Sequence, residues 1–485
     1  MDARTTPTYA GKGGEIVPSP SYPRSFPADH FPDALAPRGP IDTLGEISTD
    51  ERGRLVVAGG YGRAVGMRKA DGTPYPLFAA VNNDGWFDDT SDGPVSAVLC
   101  FEDGSTVEAQ GAWFICTDPG YAPQTLNVVS LWDEVYNTFI RDMLLRPEVY
   151  RDGAYDRGYE PYFDSELKPV FRAAALTRWN TNLPPMAIRA HDAIGRIGPE
   201  DAPGDTLIAG LAFIRNPNNP GEAGVGVPLM PLALGDAGNS FLQPTFTQYF
   251  FLEQWSQGKA RKDTTEMPFG PGEALDRASL YNCLGGRFSP GIDMTFIVRD
   301  DHLWRRDWTQ AGPFRIRAKA LDYEKAREDE PFLTEGYIPL RESAVPDVEP
   351  GDTSKFMSVP WHTDYNSCAT HNPDPNPVNN TTLFWSWPAQ RPVAVHVAAD
   401  VRGGVLGAQR YSVRGPGTAS PNPAAQGRYQ QYLSMVENWS RLGVVIQGSR
   451  ITDGGSYSSD HFLEVQSQLD EPPVPPWPQN TLNDD

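Results

Sequence analysis

Long apolar runs and a cysteine framework are both lacking in this chain. No part of its 485 residues is an uninterrupted apolar stretch of about eighteen, which is what a membrane-spanning helix needs. The cysteines are Cys100, Cys116, Cys283 and Cys368. They are too few for a disulfide framework in so long a chain, and no C-x-x-C pair indicates zinc. We therefore expect reduced thiols and no embedding in a membrane.

Positive charge is also scarce, with 41 Lys and Arg against 62 Asp and Glu, for a formal net charge of -21. Such a chain repels phosphate backbones and anionic lipid, so we expect neither nucleic acid nor a membrane as partner. The N-terminus, MDARTTPTYAGKGGE, lacks the apolar core of a secretory signal. A small-molecule ligand and a cytoplasmic location are the expectations, and the sequence leaves homo-oligomer formation open.

The pattern of strands and helices predicts an α+β fold, with an antiparallel β-rich sandwich or barrel-like core, several long helices and extended Pro-rich loops. Short β-type runs such as RLVVAG come first, and amphipathic stretches such as TLNVVSLWDEVYNTFIRDMLL follow. Further helices are predicted from Asp164 to Trp179, in TFTQYFFLEQWSQG and in GEALDRASLYNCLGG. The predicted regions are an N-terminal arm (1–40), a β-rich region (41–125), a mainly helical region (126–280), a β-rich catalytic region (281–470) and a Pro-rich tail (471–485).

The densest group of reactive side chains lies at residues 360–392, PWHTDYNSCATHNPDPNPVNNTTLFWSWPAQRP. A loop composition in its middle lets the TTLFWSW run return as a strand toward Cys368. Trp385 and Trp387 are two residues apart, so either indole could meet the Cys368 sulfur. On these residues alone, a buried thiol beside two core tryptophans is the favoured interpretation.

Two motifs in this segment resemble the LodA-like family of quinoprotein amine oxidases. They are P-W-x-x-D-x-x-x-C, ending here at Cys368, and W-P-A-x-R-P, starting here at Trp387. Five more stretches resemble the family: LGEISTDERGRLVVAGGYG, NNDGWFDDTSDGPVSA, AWFICTDPGYAPQTLNVVSLWD, YNCLGGRFSPGID and MVENWSRLGVV. The resemblance therefore covers most of the chain beyond residue 40.

The resemblance implies a cofactor made from the chain itself, cysteine tryptophylquinone, in which Cys368 is joined to an oxidised tryptophan. Trp387 is the preferred partner because it directly precedes the Pro-Ala-x-Arg-Pro run as in relatives, and Trp385 is the alternate. The quinone supplies an electrophilic carbonyl that no unmodified side chain offers. Asp364 matches the family aspartate needed for cofactor formation and placed to act as base, and Cys283 matches a second family cysteine.

The implied activity is oxidation of a primary amine, an amino acid in the first instance, to an aldehyde or oxo acid with release of ammonia and hydrogen peroxide. Dioxygen is the oxidant. Relatives use a separate flavin-dependent monooxygenase for tryptophan oxygenation, and this chain has no Gly-x-Gly-x-x-Gly after a strand. Two alternatives stay open: a quinone-dependent tailoring oxidase, dehydrogenase or hydroxylase for an amino acid or peptide, and a non-catalytic homologue without mature cofactor.

The chain departs from the family in two places. About forty residues precede the LGEI stretch, fewer than members usually have, which leaves open a second chain in that role. A histidine expected after Pro-Phe-Arg-Ile is replaced by Arg317. His362, His371 and His302 are candidates to replace it, with His362 preferred because it lies in the cofactor segment. Cys368 and His371 form a lone C-x-x-H pair, so we predict no metal.

Overall fold

The structure is a computed structural model, and it describes the chain in part. The described residues are 24–27, 43–49, 55–60, 64–66, 86–116, 126–222, 229–230, 243–262, 270–281, 298–317, 394–397, 410–411 and 444–465, with short gaps inside several ranges, and single positions that include Val348 and Thr353. Helices and small sheets occur in different parts of the chain, which makes the fold α+β.

The N-terminal half of the β structure is a set of small antiparallel sheets. Its strands are β1 (Arg24–Pro27), β2 (Thr43–Thr49), β3 (Leu55–Ala58), β4 (Ala64–Gly66), β5 (Trp86–Asp88), β6 (Asp92–Val95), β7 (Val98–Cys100), β8 (Thr106–Glu108) and β9 (Ala112–Ile115). The order β1-β2-β3 forms one sheet, and the pairs are β4 with β5, β6 with β9 and β7 with β8. Strand β1 lies inside the predicted N-terminal arm, so part of that arm joins a sheet.

The helices follow. They are α1 (Leu131–Arg141), α2 (Lys168–Asn180), α3 (Pro185–Ile194), α4 (Phe246–Ser256), α5 (Glu273–Tyr281) and the short α6 (Trp308–Ala311). A π-helical turn, Phe163–Leu167, leads into α2, and a two-stranded hairpin of β10 (Tyr150–Arg151) and β11 (Ala154–Tyr155) precedes it. None of the helices among the described residues is long and apolar enough to cross a membrane.

Capping side chains decide where α1 and α4 begin. The Ser130 side chain accepts a hydrogen bond from the Asp133 backbone, and the Asp133 carboxylate accepts one from the Ser130 backbone. This reciprocal capping box starts α1 at Leu131, later than the apolar pattern from Val128 predicts. Thr245 and Gln248 form the same arrangement at the start of α4.

The main core lies among these helices. Helix α4 is buried on all sides, with Phe250, Phe251, Leu252 and Trp255 in the core. Phe139 of α1 is fully buried, and its ring centroid lies 5.1 Å from that of Trp304 and 4.8 Å from that of Phe314, both in edge-on geometry. The core is therefore aromatic and joins α1 to residues far along the chain.

A second sheet lies in the C-terminal part, with the order β13-β12-β15-β14. Its strands are β12 (Ala394–Val397), β13 (Arg410–Tyr411), β14 (Val444–Gln447) and β15 (Phe462–Val465). Strands β12 and β15 pair in parallel, whereas the other two pairs are antiparallel. The prediction of an antiparallel core is wrong for this pair, because β12 and β15 are separated by a connection long enough for a parallel crossover.

Candidate active site

The residues predicted to carry the chemistry lie outside the described residues. They are Cys368, Trp387, Trp385, Asp364, Cys283, His362 and His371. Helix α5 is the nearest described element in sequence, because it ends at Tyr281, two residues before Cys283.

A small cavity lies beside α5, between it, α1, the π-helical turn and the start of α4. We call it the α5 cleft, and its lining includes Trp132, Asp133, Glu166, Gln248, Arg277 and Tyr281. Carboxyl, guanidinium, phenol and amide groups thus share one space with aromatic rings.

Arg277 supplies the positive charge of the cleft. Its Nη2 donates a hydrogen bond of 2.7 Å to the Ser165 carbonyl oxygen. The guanidinium carbon lies 5.7 Å from the ring centroid of Trp132 and 5.4 Å from that of Tyr281. Aromatic faces attract a cation at this range, so the arginine is held in a defined position.

Asp133 supplies a titratable acid. Its Oδ2 accepts hydrogen bonds of 2.7 Å from both the backbone N–H and the hydroxyl of Ser130. Desolvation raises the pKa of Asp133 to about 6, although the Ser130 hydrogen bonds and the charge of Arg277 oppose the rise. The side chain is half-buried rather than sealed, so it can exchange a proton near neutral pH.

Glu166, in the π-helical turn, is the centre of a buried polar network. Its carboxylate accepts hydrogen bonds from Arg146 Nη1 at 2.8 Å, from the Tyr159 hydroxyl at 2.8 Å and from the Tyr162 backbone at 2.8 Å. Burial raises the pKa of Glu166, and the Arg146 guanidinium and these donors oppose the rise. The network fixes the position of the π-helical turn at one wall of the cleft. π-Helical turns often occur at functional sites.

A second, small cavity is apolar and lies between α2, α3 and α4. Its lining includes Val170, Phe171, Leu252 and the buried His191. The Nδ1 atom of His191 lies 2.6 Å from the Ala174 carbonyl oxygen. The apolar walls make this a packing space of the core.

His302, one of the candidate replacement histidines, lies exposed in an acidic group. Its Nδ1 is 2.8 Å from an Asp300 oxygen and 3.3 Å from an Asp301 oxygen. The ligand atoms of these three consecutive residues lie within 4.8 Å of one another. Arg306 already pairs with Asp301, so we retain the prediction of no metal.

A further polar contact joins the N-terminal sheets to Thr353, which precedes the segment 360–392 in sequence. Asp92 of β6, Trp113 of β9 and Thr353 share hydrogen bonds across a sequence separation of 261 residues. Asp92 and Thr353 are buried. Sequence reasoning missed this contact because its partners are far apart in sequence, and it missed the Glu166 network because Tyr159, Tyr162 and Arg146 form no recognised motif with Glu166. The one available signal was that Asp92 lies in the family-like NNDGWFDDTSDGPVSA stretch.

Two family models match the chain. The model described as L-lysine epsilon oxidase N-terminal matches residues 14–116, and the model described as L-lysine epsilon oxidase C-terminal domain matches residues 231–387. Together they cover more than half of the chain. The second range includes Cys283, Asp364, Cys368 and both candidate tryptophans.

One relative and its solved structures agree with these matches. L-lysine 6-oxidase of Marinomonas mediterranea is 27% identical over 387 residues, which cover 72% of this chain and 48% of the relative. The chain thus spans about half the length of that curated relative.

Solved structures of the L-Lys epsilon-oxidase of Marinomonas mediterranea share the fold. The crystal structure of its Schiff base intermediate with L-Lys superposes on this chain with a TM-score of 0.63 at 22% identity, covering 90% of this chain and 71% of the other. A second structure gives 0.64 at 21% identity, with coverages of 92% and 73%. The two matched family models and this common fold lead to one conclusion: the chain belongs to the LodA-like family.

Proposed function

We propose that the chain is an oxidoreductase that oxidises a primary amine, specifically an amino acid, with a cysteine tryptophylquinone made from Cys368 and Trp387. The observation that carries the proposal is the match of the L-lysine epsilon oxidase C-terminal model across residues 231–387. That range includes Cys368, Trp387 and Asp364, which would supply the thiol, the indole and the carboxylate that the cofactor requires. The region around it is proposed to be a β-rich sandwich or barrel-like core.

Formation of the cofactor needs an external oxidant. The thioether bond between Cys368 and the indole replaces the thiol hydrogen and one ring hydrogen, and two further ring carbons become carbonyls. Dioxygen is the oxidant, and a separate flavin-dependent monooxygenase is the proposed partner that delivers it. Trp385 is the alternate site of modification.

In the reaction, the quinone would supply an electrophilic carbonyl that accepts two electrons from the amine. Asp364 is proposed to take the proton from the carbon that bears the nitrogen, as a general base. Cys283 and His362 are proposed to complete the pocket. Amine, water and dioxygen are consumed, and aldehyde or oxo acid, ammonia and hydrogen peroxide are released.

The L-lysine 6-oxidase relative supports an amino acid as the substrate over a simple amine.

The activity is tested by measuring the products that purified protein with mature cofactor forms. Amino acids and simple amines are screened for hydrogen peroxide and ammonia formed in equal amounts, and products are analysed after reaction under labelled dioxygen. Equal release supports the oxidase. Labelled oxygen in the organic product supports the tailoring alternative instead, and Asp364→Ala is expected to give colourless, inactive protein in either case.

A further inference from the structure

The NNDGWFDDTSDGPVSA stretch at residues 82–97 has no role in the function proposed above. Asp92 in this stretch begins strand β6 and is only 6% exposed. Strand β6 pairs with β9, with Asp92 opposite Ile115 and Pro94 opposite Trp113. A carboxylate at such a position needs hydrogen-bond donors, because burial of an unpaired charge is costly.

Two donors reach Asp92 from different parts of the chain. The Trp113 indole N–H donates to Asp92 Oδ2 at 3.1 Å and lies 3.4 Å from the Thr353 hydroxyl oxygen. The Thr353 hydroxyl itself donates to Asp92 Oδ2. Thr353 is fully buried. We name these three side chains the Asp92 latch.

A second contact fixes the same length of chain just before the latch. The Val348 backbone N–H donates to the Arg317 carbonyl oxygen at 2.8 Å, and Val348 is 1% exposed within the main core. The chain is thus held on the main core at residue 348 and on the N-terminal sheets at residue 353. Thr353 precedes Asp364 by eleven residues and Cys368 by fifteen.

We propose that the Asp92 latch is a positioning device for the cofactor segment, with Asp92, Trp113 and Thr353 as positioning residues. By fixing Thr353, it anchors the chain eleven residues before Asp364 and fifteen before Cys368. We expect this anchor to raise the yield of the cross-link between Cys368 and Trp387. This inference rests on the proposed function for its link to the cofactor, and the contacts that carry it stand apart from that function.

The test uses the full-length chain with two matched substitutions at one position. Thr353→Val keeps the shape of the side chain and removes the hydroxyl donor, whereas Thr353→Ser keeps the hydroxyl. Each protein is made with and without a co-expressed flavin-dependent monooxygenase. The readouts are the cross-linked fraction from peptide mapping, hydrogen exchange of peptides covering residues 348–353, and the thermal midpoint.

Loss of a hydrogen bond to a charged group is expected to speed local exchange at residues 348–353 about tenfold or more in Thr353→Val. The cross-linked fraction should fall in parallel, while Thr353→Ser stays close to the unsubstituted protein. Equal exchange and equal cross-linking in Thr353→Val and Thr353→Ser would overturn the proposal.

A second variant and a control separate failure of the latch proposal from misfolding and from failure of the proposed function. If Thr353→Val does not fold, Trp113→Phe removes one donor to Asp92 and keeps an aromatic ring, and the same two readouts decide. If the unsubstituted chain forms no cross-link at all, the proposed function fails. The exchange data on protein made without the monooxygenase still decide whether the latch holds the chain.

Discussion

The aromatic core of the helical region and the β7–β8 hairpin of the N-terminal sheets differ in how they place their apolar side chains. In the helical region Phe139 and Phe250 are buried in the aromatic core. In the hairpin Val98 is 59% exposed, Leu99 54% and Val107 52%. Apolar burial therefore stabilises the aromatic core, whereas these hairpin side chains contribute little burial. Four substitutions test this contrast.

The largest effect is expected in the aromatic core. Phe139→Ala removes a fully buried ring between Trp304 and Phe314 and should lower the free energy of unfolding by about 3–5 kcal/mol. Chemical denaturation measures it. Leu275→Ala on α5, where the residue is 71% exposed, is the matched control and should change stability little. Similar losses for both would show that the core is not where stability resides.

The Glu166 network should come next. Glu166→Ala leaves the Arg146 guanidinium, whose side chain is 14% exposed, without its buried carboxylate, and should cost about 3 kcal/mol. Asp164→Ala, two residues earlier, breaks the surface pair with Lys168 and should cost less than about 1 kcal/mol. Denaturation of both variants gives the comparison. A loss at Asp164 as large as that at Glu166 would contradict it.

Asp133→Asn should remove a pH dependence of the unfolding free energy of about 1–2 kcal/mol. The pKa of Asp133 is about 6 in the folded chain and about 4 when unfolded, so the folded state binds the proton more tightly. Stability is therefore lost as the pH rises from about 4 to about 6, and the variant lacks this loss. Unfolding free energies of both proteins at pH 4 and pH 7 measure it, and a pH-independent difference would refute the assignment.

The smallest effect is expected on the β7–β8 hairpin. Leu99→Asn replaces a half-exposed side chain and should change stability by no more than about 0.5 kcal/mol. Thermal and chemical unfolding check this value. A loss of about 2 kcal/mol or more would break the contrast between the two regions, because it would mean that the hairpin is covered in the native protein.

Local elements were predictable from the sequence to the extent that local physics sets them. The apolar period predicts α1, but its start depends on the Ser130 cap, and the pattern alone placed it too early. The parallel pairing of β12 and β15 and the contact between Asp92 and Thr353 join residues far apart in sequence, so no pattern reveals them.

The residues of the candidate site were predicted from resemblance to a family and not from local patterns alone. Spacing could bring Cys368 near either Trp385 or Trp387, and resemblance to a family favoured one of them. The described groups of the α5 cleft were not predicted at all, because Asp133 reads as an ordinary first-turn acid of α1 and Arg277 as an ordinary helix surface residue. Their importance depends on packing between helices.

The central claim is that Cys368 and Trp387 together form a quinone, and peptide mapping with intact mass tests it most directly. Protein co-expressed with a flavin-dependent monooxygenase should gain two oxygens and lose four hydrogens, with the Cys368 and Trp387 peptides joined. Trp387→Phe should abolish both changes, and Trp385→Phe should keep them. An unshifted mass with a free Cys368 thiol in the unsubstituted chain would contradict the account.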